Sequence, residues 1–249
     1  MEATPLVLLH GYPFDHTMWN DVIARFSGDV LAPDLRGFGG TATGQDEPSL
    51  DLMADDVARL LEKQNIPRAI LAGFSMGGYV ALSFAERYAV RLAGLGLIDS
   101  QALADTEEAR AGRRAMIERV RTEGASVAAA AAIPKMFASA NAIKPEFAAI
   151  VRAGAEKAGA PGITWALEAM ARRPDRSGVL ARLTIPVLIV HGVEDQFIPV
   201  ERARALAEGM PGALYVEISG TGHCSPLETP EIVAKALGEL VARVESAAR

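Results

Sequence analysis

The chain has 249 residues, half of them hydrophobic, and a formal net charge of −6. That length suits one α/β unit with a single sizeable core and argues against a second independent domain. The acidic balance offers no basic footprint for nucleic acid, and no apolar run approaches the roughly 20 residues that span a bilayer.

Apolar runs of strand length alternate with amphipathic stretches of helix length, the signature of parallel strands joined by crossover helices. In chain order the predicted strands are Leu6 to His10, Val30 to Pro33, Ala69 to Phe74, Leu92 to Ile98, Val187 to His191 and Leu214 to Ile218. Helices are predicted near Trp19 to Phe26, Leu50 to Gln64, Met76 to Tyr88, Val200 to Glu208 and Glu231 to Val244. The alternation breaks once. Alanine-rich helical sequence fills residues 102–178, punctuated by Gly124, Pro134, Pro145, Gly159, Pro161 and Pro174. It reads as a helical cap inserted into an α/β core formed by residues 1–101 and 179–249.

Chemistry enters at Gly73-Phe74-Ser75-Met76-Gly77, between a predicted strand and a predicted helix. A serine at the apex of so sharp a turn needs small neighbours where strand and helix crowd together, and the turn aims its hydroxyl away from the sheet. The N–H of Met76 then lies at a helix start, where free donors favour a developing negative charge. A base and an acid follow in order. Asp195 lies on the loop past the strand ending at His191, with Glu194 beside it and Asp99 at the end of an earlier strand as rival acids. His223 lies on a glycine-rich loop before the last helix. Ser75 is therefore the expected nucleophile, His223 the base and Asp195 the acid that orients it. Tyr12 N–H, from the loop after the first strand, is the expected second oxyanion donor. Dehalogenation is disfavoured because that chemistry places an aspartate where Ser75 stands.

His10 is expected to hold the oxyanion loop, His191 to be structural, and His16 to be a solvated loop residue. Four histidines without C-x-x-C or H-x-x-x-H spacing give no support to a metal site. No G-x-G-x-x-G follows a strand, and no cofactor is expected. Cys224 is the single cysteine, so no intramolecular disulfide forms; it reads as a packed bystander in a reducing compartment. The first residues lack a basic region and Leu6 to Leu9 is short for a secretory signal, which leads to a cytoplasmic expectation.

His10-Gly11-Tyr12-Pro13, Asp34-Leu35-Arg36-Gly37-Phe38-Gly39, Gly73 to Gly77, Gly192 with Asp195, and Gly222-His223 together resemble the α/β-hydrolases along essentially the whole chain. With Phe14, Asp15 and Trp19 the first motif resembles the cofactor-free haloperoxidase, esterase and lactonase group. The resemblance implies a mainly parallel sheet with a helical cap. It also implies a preference for Asp195 as the acid, from the loop length after Gly192, and a structural ion pair for Arg36. The family's leading antiparallel hairpin is missing, leaving about six strands and an edge that a partner subunit could cover as a homodimer. The implied activity is hydrolysis of small, largely apolar carboxylic esters or lactones through an acyl-serine intermediate, with perhydrolysis as a side reaction. Enol-lactone or carbon–carbon bond hydrolysis by the same triad, and ligand sensing on the same fold, are the alternatives. Phe14 and Phe197 on the catalytic loops, and Phe137 and Trp165 in the cap, are the expected substrate contacts, with Met116, Met136, Phe147 and Met170 as further cap residues that either line the pocket or pack the helices.

Overall fold

The structure is a computed structural model that describes residues 4–141 and 144–247. Six strands, β1 (Leu6–Leu9), β2 (Val30–Leu31), β3 (Ala69–Phe74), β4 (Leu92–Ile98), β5 (Val187–Gly192) and β6 (Leu214–Ile218), form one sheet. Their order is β2-β1-β3-β4-β5-β6. Every neighbouring pair is parallel. The central strands β1, β3, β4 and β5 are buried at every position, as continuous apolar runs covered on both faces must be. The edge strand β6 is half-buried, and β2 stops before Pro33, which has no N–H to give to a ladder. No antiparallel hairpin precedes β1 among the described residues.

Helices flank the sheet. α1 (Asn20–Ile23) is a single turn preceded by a tighter one over His16–Trp19, shorter than the helix expected from Trp19 to Phe26. α2 (Leu50–Lys63) starts where the Ser49 hydroxyl accepts the Asp51 N–H, and it buries Leu50, Met53, Ala54, Val57, Ala58 and Leu61 along one stripe. α3 (Met76–Arg87) packs on β1, β3 and β4 and carries α2 on its flank. α4 (Glu107–Glu123), α5 (Ser126–Met136), α6 (Pro145–Ala171) and α7 (Ser177–Leu180) lie between β4 and β5, with no strand among the described residues there. Of these, α4, α5 and α6 pack on one another. α6 is broken at Gly159, whose φ of 63° is non-helical. After β5 come α8 (Val200–Glu208), α9 (Ser225–Glu228) and α10 (Pro230–Ala247), the last packed across β4 and β5. No helix among the described residues is long and apolar enough to cross a membrane.

Strand register sets up the site. Leu9 sits opposite Gly73, and Phe74 opposite Ile98, so β1, β3 and β4 end close to level. β1 is flanked by β2 on one side and β3 on the other, so the chain reverses its winding there. Open parallel sheets bind ligands beyond their carboxyl ends at such a reversal.

Candidate active site

Ser75 joins β3 to α3 at φ 48° and ψ −110°, a backbone state that side chains rarely adopt. Glycine makes the turn sterically possible. A Cβ at Gly73 would lie 2.1 Å from the Gly77 carbonyl, and one at Gly77 would lie 2.2 Å from the Leu9 oxygen. The strain is held by hydrogen bonds: Ser75 N–H donates to Ile98 O at 2.9 Å, and the Ser75 carbonyl accepts Ser100 Oγ at 2.8 Å and Gly78 N at 3.0 Å.

From this apex a chain of hydrogen bonds runs through the loops after β6 and β5. Ser75 Oγ lies 2.9 Å from His223 Nε2, and His223 Nδ1 lies 2.7 Å from Asp195 Oδ2. A carboxylate only accepts, so Nδ1 carries the proton and Nε2 is free to accept from the serine. Asp195 is fixed in turn, with Oδ1 accepting Phe197 N at 2.8 Å and Ile198 N at 2.9 Å. Burial opposes ionisation of Asp195, but the His223 charge, His191 and these donors outweigh it and hold the carboxyl well below its usual range. Burial likewise opposes charging of His223, and the Asp195 carboxylate outweighs that, so its pKa sits above the ordinary histidine value.

The rival acids are occupied elsewhere. Asp99 is fully buried and accepts Gly192 N at 2.9 Å, Ser225 N at 3.1 Å and Ser225 Oγ at 2.5 Å. It is a brace between β5 and the start of α9, and burial pushes its carboxyl up to about 6. Glu194 accepts the Ser139 N–H at 3.2 Å.

Two backbone donors are left over just past the ends of β1 and β3. Met76 N–H opens α3 and Tyr12 N–H follows β1, and neither donates to another backbone or side-chain group among the described residues. The Tyr12 loop is anchored by His10, whose Nδ1–H donates to Gly11 O at 3.0 Å while Nε2 accepts Leu35 N–H at 2.9 Å. Burial lowers the His10 pKa to about 4, so it stays neutral in this bridge. His191 Nε2 lies 2.8 Å from Ile198 O, within the same loop that holds Asp195. His16, expected to be solvated, is 44% exposed in its side chain, with Asp34 Oδ1 2.8 Å from its Nδ1. Arg36 makes the paired contact expected of a loop anchor, with Nε and Nη2 each 2.9 Å from Asp56. Cys224 is fully buried, and that burial pushes its thiol pKa up.

Ser75, His223, Tyr12 and Phe197 line one cavity of about 520 Å³, within the usual range for small-molecule sites. Phe197, 42% exposed, meets the His223 ring edge-on at 5.1 Å. The structure places the other three expected contacts outside that wall. Phe14 packs against Phe74 at 5.9 Å, and Phe137 stacks on Phe147 at 5.0 Å. Trp165 lies below the Arg36 guanidinium at 5.9 Å. All three are turned into protein cores, so their aromatic surface is spent on packing.

Sequence reasoning missed several residues. In the apolar wall Met116, Met136 and Met170 were expected from the sequence and Leu167 was not, and the unexpected polar wall includes Gln101, Asp105, Arg113, Lys135 and Arg202. Glu228 was also missed: it accepts Gly222 N at 2.9 Å, Ala138 N at 2.9 Å and Asn141 Nδ2 at 2.8 Å. Of the missed residues, Gln101, three residues past the end of β4, carried a positional signal.

A family model described as the alpha/beta hydrolase family matches residues 6–236, and the chain belongs to that family. Among solved structures it is similar to a thermophilic esterase from Thermogutta terrifontis, determined with malate bound. The identity is 37%, covering 98% of this chain and 91% of that one, with a TM-score of 0.92. It is also similar to 3-oxoadipate enol-lactonase 2 of Acinetobacter baylyi, 28% identical over 91% of this chain and 84% of the relative. A third relative is 2-hydroxymuconate semialdehyde hydrolase of Pseudomonas sp. CF600, 27% identical over 98% of this chain and 89% of the relative.

Proposed function

We propose that the protein is a serine hydrolase that cleaves small carboxylic esters or lactones through an acyl-serine intermediate. The observation that carries this reading is the continuous hydrogen-bonded chain from Ser75 through His223 to Asp195 in the wall of a ligand-sized cavity. In the first step Ser75 Oγ forms a bond to the acyl carbon while its proton passes to His223 Nε2. The carbonyl oxygen becomes an anion held by the N–H groups of Tyr12 and Met76. His223 then protonates the leaving alkoxide as the carbon–oxygen bond breaks. Water repeats the sequence on the acyl-serine, giving the carboxylic acid and restoring Ser75. Asp195 stays ionised throughout and stabilises the transient imidazolium. Helices α4 to α6 act as the cap that closes the cavity over these groups.

The similarity to an esterase supports the ester reading. The lactonase and semialdehyde hydrolase relatives favour a second one, in which the same three groups open an enol-lactone or cleave a carbon–carbon bond. Hydrolysis of a graded series of p-nitrophenyl esters by the wild type and by Ser75→Ala separates them. Turnover in the wild type, reduced by about 10⁴-fold or more in the variant, is expected for a serine esterase. A folded wild type without ester turnover transfers the reading to the second class of substrate, and ligand-dependent association with a partner without turnover would identify a sensor.

A further inference from the structure

The wall of the cavity is more cationic than a site for neutral esters requires. Arg113 on α4, Lys135 on α5 and Arg202 on α8 all line it, against one carboxylate, Asp105. The whole chain carries a net charge of −6, so this concentration of positive charge is local. Asp105 does not neutralise it. Its carboxylate lies between two guanidiniums, 2.5 Å from Arg113 Nε and 2.6 Å from Arg173 Nη1, and Arg173 is itself almost wholly buried against the Tyr79 ring at 4.2 Å. One negative charge thus serves two arginines. Arg202 hydrogen-bonds only the neutral Gln101 side chain, and among the described residues neither Arg202 nor Lys135 makes an ion pair. The Tyr12 hydroxyl, also in the wall residue set, is buried without a hydrogen-bond partner. The buried hydroxyl costs free energy until a ligand satisfies it, whereas Lys135 is exposed and Arg202 half-buried, so both can turn to an incoming anion.

Resting on the serine hydrolase reading, we infer that the cavity binds substrates carrying a carboxylate, which Arg113, Lys135 and Arg202 recognise while Met116, Met136, Leu167 and Met170 cover the carbon skeleton. Guanidinium groups favour this ligand because their paired N–H donors match the two oxygens of a carboxylate. The three cations come from separate helices, two in the insertion and one in the core, so they converge only when the cavity is assembled.

The test compares the p-nitrophenyl monoester of glutarate with p-nitrophenyl pentanoate, which differ in a terminal carboxylate replacing a methyl. Ser75→Ala supplies the background rate for each. The wild type is expected to favour the anionic ester in kcat/KM by about 10-fold or more, and the Lys135→Gln, Arg202→Gln double variant to lose that preference. Preference for the neutral ester, or a ratio unchanged in the double variant, would overturn the inference. A second measurement stands apart from turnover: calorimetric titration of glutarate into Ser75→Ala, with and without the two glutamine substitutions. Binding that the substitutions weaken by about 10-fold upholds the carboxylate site even if no ester is hydrolysed, in which case the Ser75 reading fails alone. Absence of glutarate binding sinks the carboxylate site whatever the ester results.

Discussion

Ser75 occupies a backbone conformation that only glycine adopts without cost, yet glycine would remove the nucleophile. Ser75→Gly is therefore expected to abolish ester turnover while raising the thermal unfolding midpoint, a combination that activity assays and melting curves read in parallel. At the other end of the hydrogen-bonded chain, Asp195→Asn replaces an acceptor of the His223 Nδ1 proton by an amide that can equally donate. A fall in kcat on the order of 10³ to 10⁴-fold is expected, with little change in KM. The same substitution has a pH signature. His223 must be neutral to take the serine proton, and its pKa is raised, so activity is lost as pH falls through a value above the ordinary ~6.5. Without the Asp195 charge that limb should move to lower pH, which a kcat/KM profile measures. These groups were legible in the sequence because each lies within three residues of a glycine, past the end of an apolar run. The cationic part of the cavity wall was not, since Arg113, Lys135 and Arg202 sit on separate helices and share no local pattern.

At the level of elements, the strands were readable because fully buried strands are unbroken apolar runs, and β3, β4 and β6 match their expected limits. The insertion resisted the same reading. In α5 and α6 alanine stands on both buried and exposed faces, so no marked stripe tells which side faces the cavity, and Phe137 and Trp165 could not be oriented from spacing. The loop after β6 depends on Glu228, whose carboxylate takes three donors and draws Gly222 against the backbone of Phe137 and Ala138. A Cβ at Gly222 would lie 2.4 Å from Ala138 N, so the two segments touch without intervening side chains. Glu228→Ala leaves those donors unsatisfied and should cost about 2 kcal/mol of stability by chemical denaturation. It should also lower kcat more than it raises KM, because His223 directly follows Gly222.

In the whole molecule, helical insertion and core are joined by contacts of unequal weight. Lys157 on α6 reaches Asp15 at 2.7 Å, but its side chain is 47% exposed. Asp15 is buried but keeps the Thr17 N–H and hydroxyl as donors, so Lys157→Met is expected to lower stability by about 1 kcal/mol. Arg176, buried beside Asp51 at 2.6 Å and Glu86 at 3.0 Å, holds the end of the insertion against α2 and α3. Its partners are partly solvated, so Arg176→Ala should cost about 2 kcal/mol, less than a fully enclosed pair, as melting curves of the two variants would rank. The fastening at Glu228 constrains how the molecule can breathe. If the cavity admitted its ligand by lifting α5, the strip from Phe137 to Asn141 would pull on the histidine loop and break the alignment with Ser75 at every opening. The wall residues Ala109 and Gly112 on α4 are already open to solvent. Entry on that flank would leave the histidine loop undisturbed, so that the reactive groups would stay assembled as ligand comes and goes.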